Sequence, residues 1–432
     1  LFAFASPTLA AERNTPKPPL NKEQEREKFH PRALGMDAAS RLGGFARRLE
    51  MEQASPLAAI RFRSVGPEIQ GGRIVDIDSP SAQPDTLLVA FASGGLWRSD
   101  NRGGSWTPLF DHQSAMTIGD FAIADPAGQV LWVGSGENNS SRTSYSGTGV
   151  FKSTDGGKTW NSAGLTDSHH IGRIVVDAKN PDTVYVAALG HLYTESAERG
   201  VFKTQDGGKT WTRTLFVDER TGAIDLVQDP TRPQILYAAT WERARAPWNF
   251  LESGPGSGLW KSTDGGDSWT RSTNGFPTGA SVGRIGLALS PSKPDTLYAV
   301  LDNQERRPES EPFDEETPPG ELTPRRLKKL DQDAFARLDD AVVARFLQRN
   351  GYPKSLKAAK LKADVKAGRI TIEDLIAYLK DANRDLFEND VVQAEVYRSD
   401  DGGAHWKKTH PGRLSKIFYS YGYYFARITV DP

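Results

Sequence analysis

The chain has 432 residues, 37% of them hydrophobic, with 41 Gly, 27 Pro, 10 Trp, 12 Tyr and 19 Phe, no Cys, and a formal net charge of −1. That length supplies two or three ordinary domains or one large closed array of repeats, and the turn-rich, aromatic-rich composition favours all-β structure. Near-neutral charge leaves no basic field for nucleic acid, and the missing cysteines remove disulfides and thiolate metal sites.

In chain order, residues 1–11 (LFAFASPTLAA) read as the remnant of a signal-peptide core, with small residues suited to cleavage near Ala10 or Ala11. Export to the periplasm, cell surface or medium is therefore expected. No other run approaches about 18 apolar residues, so no membrane-spanning helix is expected. Residues 12–60 form a Pro-rich, charged linker followed by a short amphipathic helix from Asp37 to Gln53.

From Arg61 the sequence repeats, and residues 61–304 read as successive four-stranded units. Each unit holds two alternating strands joined by a Pro-containing turn, a variable loop, a short strand ending in a polar box, and a strand beginning at Trp. The boxes are Ser99–Trp106 (with Asn101), Ser153–Trp160 (Asp155), Thr204–Trp211 (Asp206), Ser262–Trp269 (Asp264) and Ser399–Trp406 (Asp401). Their tryptophans are 54, 51, 58 and 137 residues apart, so the last interval contains an insertion. Four strands per unit of about 50 residues define a β-propeller blade.

Residues 305–392 are that insertion: acidic and Pro-rich at first, then helical. Thr323 and Pro324 open a helix, Leu338, Val342 and Phe346 recur every four residues, and Thr371 with Asp374 forms a capping box. It reads as a solvated cap or a partner-docking element. Residues 393–432 return to the propeller with a fifth box and the opening strand of a sixth blade, YFARITVDP. An all-β propeller of five visible blades has to close, so a missing segment or a partner chain is expected to complete it.

Within each box the Asp or Asn side chain accepts backbone N–H groups, glycine supplies positive φ, and the Trp buries about 150–250 Å², a gross contribution of about 4–6 kcal/mol. The boxes are therefore blade staples, not catalytic dyads. They also lack the further oxygen ligands of a calcium loop.

The pattern Ser-x-Asp-x-Gly-x-Thr-Trp resembles the Asp-box, or BNR repeat, of sialidases, sortilin-like propellers and xyloglucanase-like propellers. With FRSVGPEIQGGRIVDI, VGSGENN, DSHHIGRIVVD and ALGHLY, the chain resembles exported bacterial sortilin-like BNR proteins often labelled glycosyl hydrolases. The resemblance implies that the boxes lie on one face and the ligand loops on the other. That face would carry Glu137, Tyr145, His169, His170, His191, Trp241, Arg243, Arg245 and Trp248. First strands would line a channel and open at Arg73, Asp120, Arg173, Asp225, Arg284 and Arg427. The four arginines would then capture an anion, or pair with the aspartates and hold the blades in register.

Glycoside hydrolysis needs two carboxyl groups about 5–9.5 Å apart, and Glu137 with Asp225 is the best candidate pair. The chain reads Ala92-Ser93-Gly94-Gly95 where xyloglucanase-like propellers carry an Asp before Gly-Gly, a departure from that catalytic pattern. His169, His170 and His191 could hold a metal with Glu137, but tandem histidines are more often a surface pair, and neither metal nor cofactor is assigned. Metalloprotease, P-loop and serine-hydrolase motifs are absent from the sequence. The leading expectation is an exported binding module for protein, peptide or carbohydrate. The alternatives are a glycoside hydrolase and a structural subunit that docks through the helical insertion.

Overall fold

The computed structural model describes residues 35–60, 72–246, 249–307, 320–379, 391–414, 417 and 421–431. The expected signal-peptide remnant, most of the linker, the segment 61–71 and Trp248 lie outside them. Asp37 caps the first described helix, Ala38–Ala54, by accepting from Ser40 N at 2.6 Å.

Twenty strands form five four-stranded antiparallel sheets, and two more form a side hairpin. The first sheet contains β1 (Ile74–Asp78), β2 (Leu87–Phe91), β3 (Gly95–Ser99) and β4 (Thr107–Pro108). The second contains β5 (Ile118–Ile123), β6 (Leu131–Ser135), β7 (Val150–Ser153) and β8 (Asn161–Ser162), and the third β9 (Ile171–Val176), β10 (Val184–Ala188), β11 (Gly200–Thr204) and β12 (Thr212–Leu215). The fourth is β13 (Thr221–Gln228), β14 (Leu236–Glu242), β17 (Gly258–Ser262) and β18 (Thr270–Ser272), with the hairpin β15 (Ala244–Ala246) and β16 (Asn249–Leu251) inserted after its second strand. The fifth is β19 (Val282–Leu289), β20 (Leu297–Arg306), β21 (Val391–Ser399) and β22 (Lys407–Lys408).

Each sheet is a meander, and its first strand packs beside the first strand of the next: β1 on β5, β5 on β9, β9 on β13, and β13 on β19. The apolar clusters lie between consecutive sheets, as with Phe121 and Leu131 against Leu88 and Leu96. Radially stacked meanders with cores in their seams are the blades of a β-propeller.

The repeated boxes close the third-to-fourth-strand turns and couple each sheet to its predecessor. In the second sheet Ser153 Oγ bonds Asp155 Oδ1 at 2.8 Å, and Asp155 accepts Thr159 N at 2.9 Å and Thr159 Oγ1 at 2.6 Å. The indoles reach back across the seams. Trp160 Nε1 donates to Leu109 O at 2.8 Å, Trp211 to Ala163 O at 2.6 Å, Trp269 to Thr214 Oγ1 at 3.2 Å and Trp406 to Ser272 Oγ at 3.1 Å. Trp106 differs from its expected role as a buried staple. It is 40% exposed, because no sheet precedes the first among the described residues.

These turns give acid stability a sign. Hydrogen bonds from Thr159 hold Asp155 down at about 2; Thr210 lowers Asp206, Ser268 lowers Asp264 and His405 lowers Asp401 in the same way. A carboxyl group depressed by folding contributes stability above its unfolded value, and that contribution is lost as pH falls through the folded one. Urea midpoints should therefore fall between about pH 4 and pH 2. Asp206→Asn should flatten that fall, since Asn101 already makes the same turn bonds in the first sheet. An unchanged slope in the variant would remove the turns as the cause.

Among the described residues between β20 and β21 the chain forms five short helices, Pro324–Lys328, Gln332–Ala336, Asp340–Arg349, Ala358–Lys366 and Ile372–Leu379. They bury a core of their own, including Leu327, Phe335, Phe346 and Leu361. Thr371 N donates to Asp374 Oδ2 at 2.9 Å and Asp374 N to Thr371 Oγ1 at 3.0 Å, the reciprocal capping box. No helix among the described residues is long and apolar enough to cross a membrane.

Candidate functional site

The inner strands carry a charged ring whose register differs from the sequence expectation at its first member. A bulge in the first strand shifts the pairing between Ile74 and Asp76, between Ile118 and Asp120, and between Ala223 and Asp225. The first sheet therefore contributes Asp76, while Arg73 precedes β1. Arg173 lies among the aspartates, with Nε 2.9 Å from Asp225 Oδ1 and Nη1 3.2 Å from Asp120 Oδ1 and 3.9 Å from Asp76 Oδ2. Arg427 Nη2 lies 3.8 Å from Asp120 Oδ1.

The two buried aspartates also clamp adjacent sheets. Asp120 Oδ2 accepts Ile174 N at 2.7 Å, and Asp225 Oδ2 accepts Leu287 N at 2.9 Å. Burial pushes Asp120 up to about 8 against the pull of Arg173 and Arg427, whereas Arg173 and Arg427 together outweigh burial at Asp225 and lower it. These bonds give the ring a register-holding role.

A second constellation forms around the loop that follows β6. Gly136 has φ +87° and passes so near the next loop that an added Cβ would lie 1.8 Å from His169 O; only glycine permits the crossing. Glu137 is fully buried. Its Oε1 accepts Arg73 Nε at 3.0 Å and Asn139 Nδ2 at 2.9 Å, and its Oε2 has no partner. His170 Nδ1 donates to Glu137 O at 2.7 Å.

Three arginines from two later segments converge on the same loop. Arg243 Nη1 donates to Asn139 O at 2.6 Å, Arg245 to Ser140 O, and Arg284 Nη1 to Asn139 Oδ1 at 2.8 Å and Tyr423 O at 2.6 Å. Burial pulls Arg243 well below the ordinary guanidinium value and Arg284 down to about 9. Guanidinium groups stay charged in proteins, so the direction expresses unmet demand for an anion. Arg243 Nε and Nη2 and Arg284 Nε have no hydrogen-bond partner.

Two carboxyl groups beside this cluster escaped the sequence reading. Glu252 follows β16 and Asp302 lies on β20; Asp302 is fully buried and Glu252 half-buried, and Glu252 Oε2 and Asp302 Oδ2 are buried atoms that lack partners. Burial raises Asp302 to about 7, and burial together with the Asp302 charge raises Glu252 well above the carboxylate range. Carboxyl groups that retain protons near neutrality are general-acid candidates. Phe250 meets Tyr423 edge-on at 4.9 Å, and Tyr423 and Tyr424 lie 4.6 Å apart, so an aromatic surface adjoins the pair.

Other expected ligand residues are dispersed. Trp241 was expected on a loop but lies in β14, where it is fully buried and its Nε1 donates to Glu252 O at 2.8 Å. Tyr145 is 62% exposed. His169 and His191 stack at 3.6 Å near Asp167, away from the Glu137 carboxylate contacts. Asp225 is bound to Arg173 and to backbone N–H groups of Leu226 and Leu287, a set that includes neither Glu137 nor the carboxyl pair.

The fold is that of a β-propeller, with a charged loop end. Residues 148–309 match the Sortilin-Vps10 family model, described as sortilin, neurotensin receptor 3. The chain is 26% identical over 265 residues to a xyloglucanase from Paenibacillus sp, covering 55% of this chain and 24% of that protein. It is 27% identical over 180 residues to a probable oligoxyloglucan-reducing end-specific xyloglucanase from Neosartorya fischeri, covering 39% of this chain and 20% of that protein. The matches thus span about a quarter or less of those relatives. A solved GH74 xyloglucanase from Xanthomonas campestris aligns with a TM-score of 0.39 and 16% identity, over 81% of this chain and 47% of that one.

Proposed function

We propose that this chain is an exported, carbohydrate-directed propeller of the glycoside-hydrolase kind, with its site at the loop end around Glu137. The observation that supports this most is the presence there of two unlike carboxyl environments. Glu137 is fixed by Arg73 with one oxygen open, whereas Glu252 and Asp302 each keep a buried oxygen without a partner and are pushed above the ordinary carboxylate range by burial. Glycosidic cleavage needs a carboxylic acid to protonate the leaving oxygen and a carboxylate to act as nucleophile or to activate water. In this reading Asp302 is the acid, Glu137 the carboxylate, and Tyr423 and Tyr424 offer faces on which sugar rings stack. Asp225, the partner inferred from sequence, serves the inner ring instead. The two curated relatives, both named xyloglucanases, make xyloglucan the first substrate to try.

Reducing-sugar release from xyloglucan, other β-glucans and sialosides should be followed from pH 4 to pH 8. Asp302→Asn and Glu137→Gln should each lower turnover by about 10²–10⁴-fold while leaving the fold intact. A second reading, a binding module for protein, peptide or carbohydrate, is favoured by the unpartnered guanidinium nitrogens of Arg243 and Arg284, which suit a ligand carboxylate. Saturable sugar or peptide binding with no release at any pH would sink hydrolysis and leave that module.

A further inference from the structure

The loop leading into β9 and the loop leaving β10 bring Asp167, His169 and His191 together on the third sheet. His169 Nε2 is 3.5 Å from Asp167 Oδ1, and His191 Nε2 is 3.5 Å from Asp167 Oδ2. The three candidate ligand atoms all lie within 4.8 Å of one another. Both imidazoles are largely buried, each 11% exposed, yet neither Nε2 has a hydrogen-bond partner, and Asp167 Oδ1 has none either. Buried polar atoms are paired in nearly all proteins, so three unpaired atoms this close together need an explanation.

We propose that Asp167, His169 and His191 form a binding site for a divalent first-row transition ion such as Zn²⁺. Two imidazole nitrogens with one carboxylate oxygen are the donor set of such ions, whereas calcium and magnesium take oxygen. Two ligands each about 2.0–2.1 Å from a tetrahedral zinc stand about 3.4 Å apart, close to the separation of each imidazole nitrogen from the carboxylate oxygen facing it, Oδ1 for His169 and Oδ2 for His191.

The surroundings orient the ligands. His191 Nδ1 lies 2.8 Å from Thr194 Oγ1, an outer contact that fixes the ring with Nε2 directed at Asp167. His169 has φ +58°, a left-handed backbone that turns its ring onto that of His191. His170, the tandem neighbour, stands outside the group: its ring lies 6.4 Å from that of His169, and its Nδ1 donates to Glu137 O. Asp167 is a third exposed, which gives an ion a way in.

The main rival for Asp167 is Arg41, whose Nη2 lies 3.8 Å from Oδ1. Arg41 instead directs its hydrogen bonds to the Gly147 and Thr166 carbonyls, leaving the carboxylate unbonded. Arg199 behaves similarly, donating to the His191 and Thr194 carbonyls.

Calorimetric titration of the chelator-stripped chain with ZnCl₂, alongside Co²⁺ absorption between about 500 and 700 nm, reads the site directly. One saturable equivalent is expected, with intense low-coordinate cobalt bands and a rise in Tm on loading. Asp167→Asn, isosteric and at a part-exposed position, and His191→Gln should each weaken binding by about 100-fold or more, with circular dichroism unchanged. His405→Ala, which removes a surface His–Asp pair, should leave binding intact. Absence of saturable binding would overturn the site, as would stoichiometric binding that survives both Asp167→Asn and His191→Gln.

Discussion

Arg173→Ala is expected to lower the unfolding free energy by about 3–5 kcal/mol, read as a drop in the urea midpoint, because it removes the guanidinium that bonds both the buried Asp225 carboxylate and Asp120, leaving Arg427 as the remaining cation beside them. Asp120 and Asp225 are almost completely buried, and both hold backbone N–H groups of the next sheet, so an unpaired charge there loosens two seams together. Adding Asp225→Asn to Arg173→Ala should recover part of the loss, with a coupling of about 1–3 kcal/mol. A loss below about 1 kcal/mol for Arg173→Ala would mean that water, rather than the arginine, satisfies the ring.

Trp241→Ala should cost about 3–5 kcal/mol in the same measurement, the range for removing a buried Trp side chain. Its indole has no exposed surface and is anchored to Glu252 O, and Arg243 and Arg284 lie 5.3 and 5.6 Å from its ring. Tyr145→Ala, at a 62% exposed side chain, should stay within about 0.5 kcal/mol of the parent. Equal stability of the two variants would restore Trp241 as a surface ligand residue.

Two readings that the sequence encouraged are corrected by the structure. Trp241-Glu-Arg-Ala-Arg alternates aromatic and basic residues in the manner of a binding loop, but β14 continues through Glu242 and turns the indole inward. Arg73 was placed on the inner ring by counting from the start of a strand pattern. The bulge between Ile74 and Asp76 moves that position to Asp76 and frees Arg73 to hold Glu137. A bulge adds a residue without changing composition or alternation enough to be read in advance.

The boxes, by contrast, were legible in detail. Their bonds run between residues two to four apart, as from Ser153 and Thr159 to Asp155, so the short motif contains both donor and acceptor. The same holds for the Thr371–Asp374 cap. The Glu137 site depends on pairs such as Arg284 with Asn139, 145 residues apart, and Arg73 with Glu137, 64 apart. No local pattern marks such partners.

By itself the sequence determined the repeated four-stranded unit, its stapling turn and the helical stretch before the fifth box, because each is set by side chains that meet their own neighbouring backbone. Tertiary structure alone decided which charges pair and which remain unpaired: Arg173 among three aspartates, Asp302 and Glu252 keeping their protons, and two histidines facing one carboxylate. The physical reason is desolvation. The energy of a charge depends on what surrounds it in three dimensions, and those surroundings exist only after distant sheets have closed on one another.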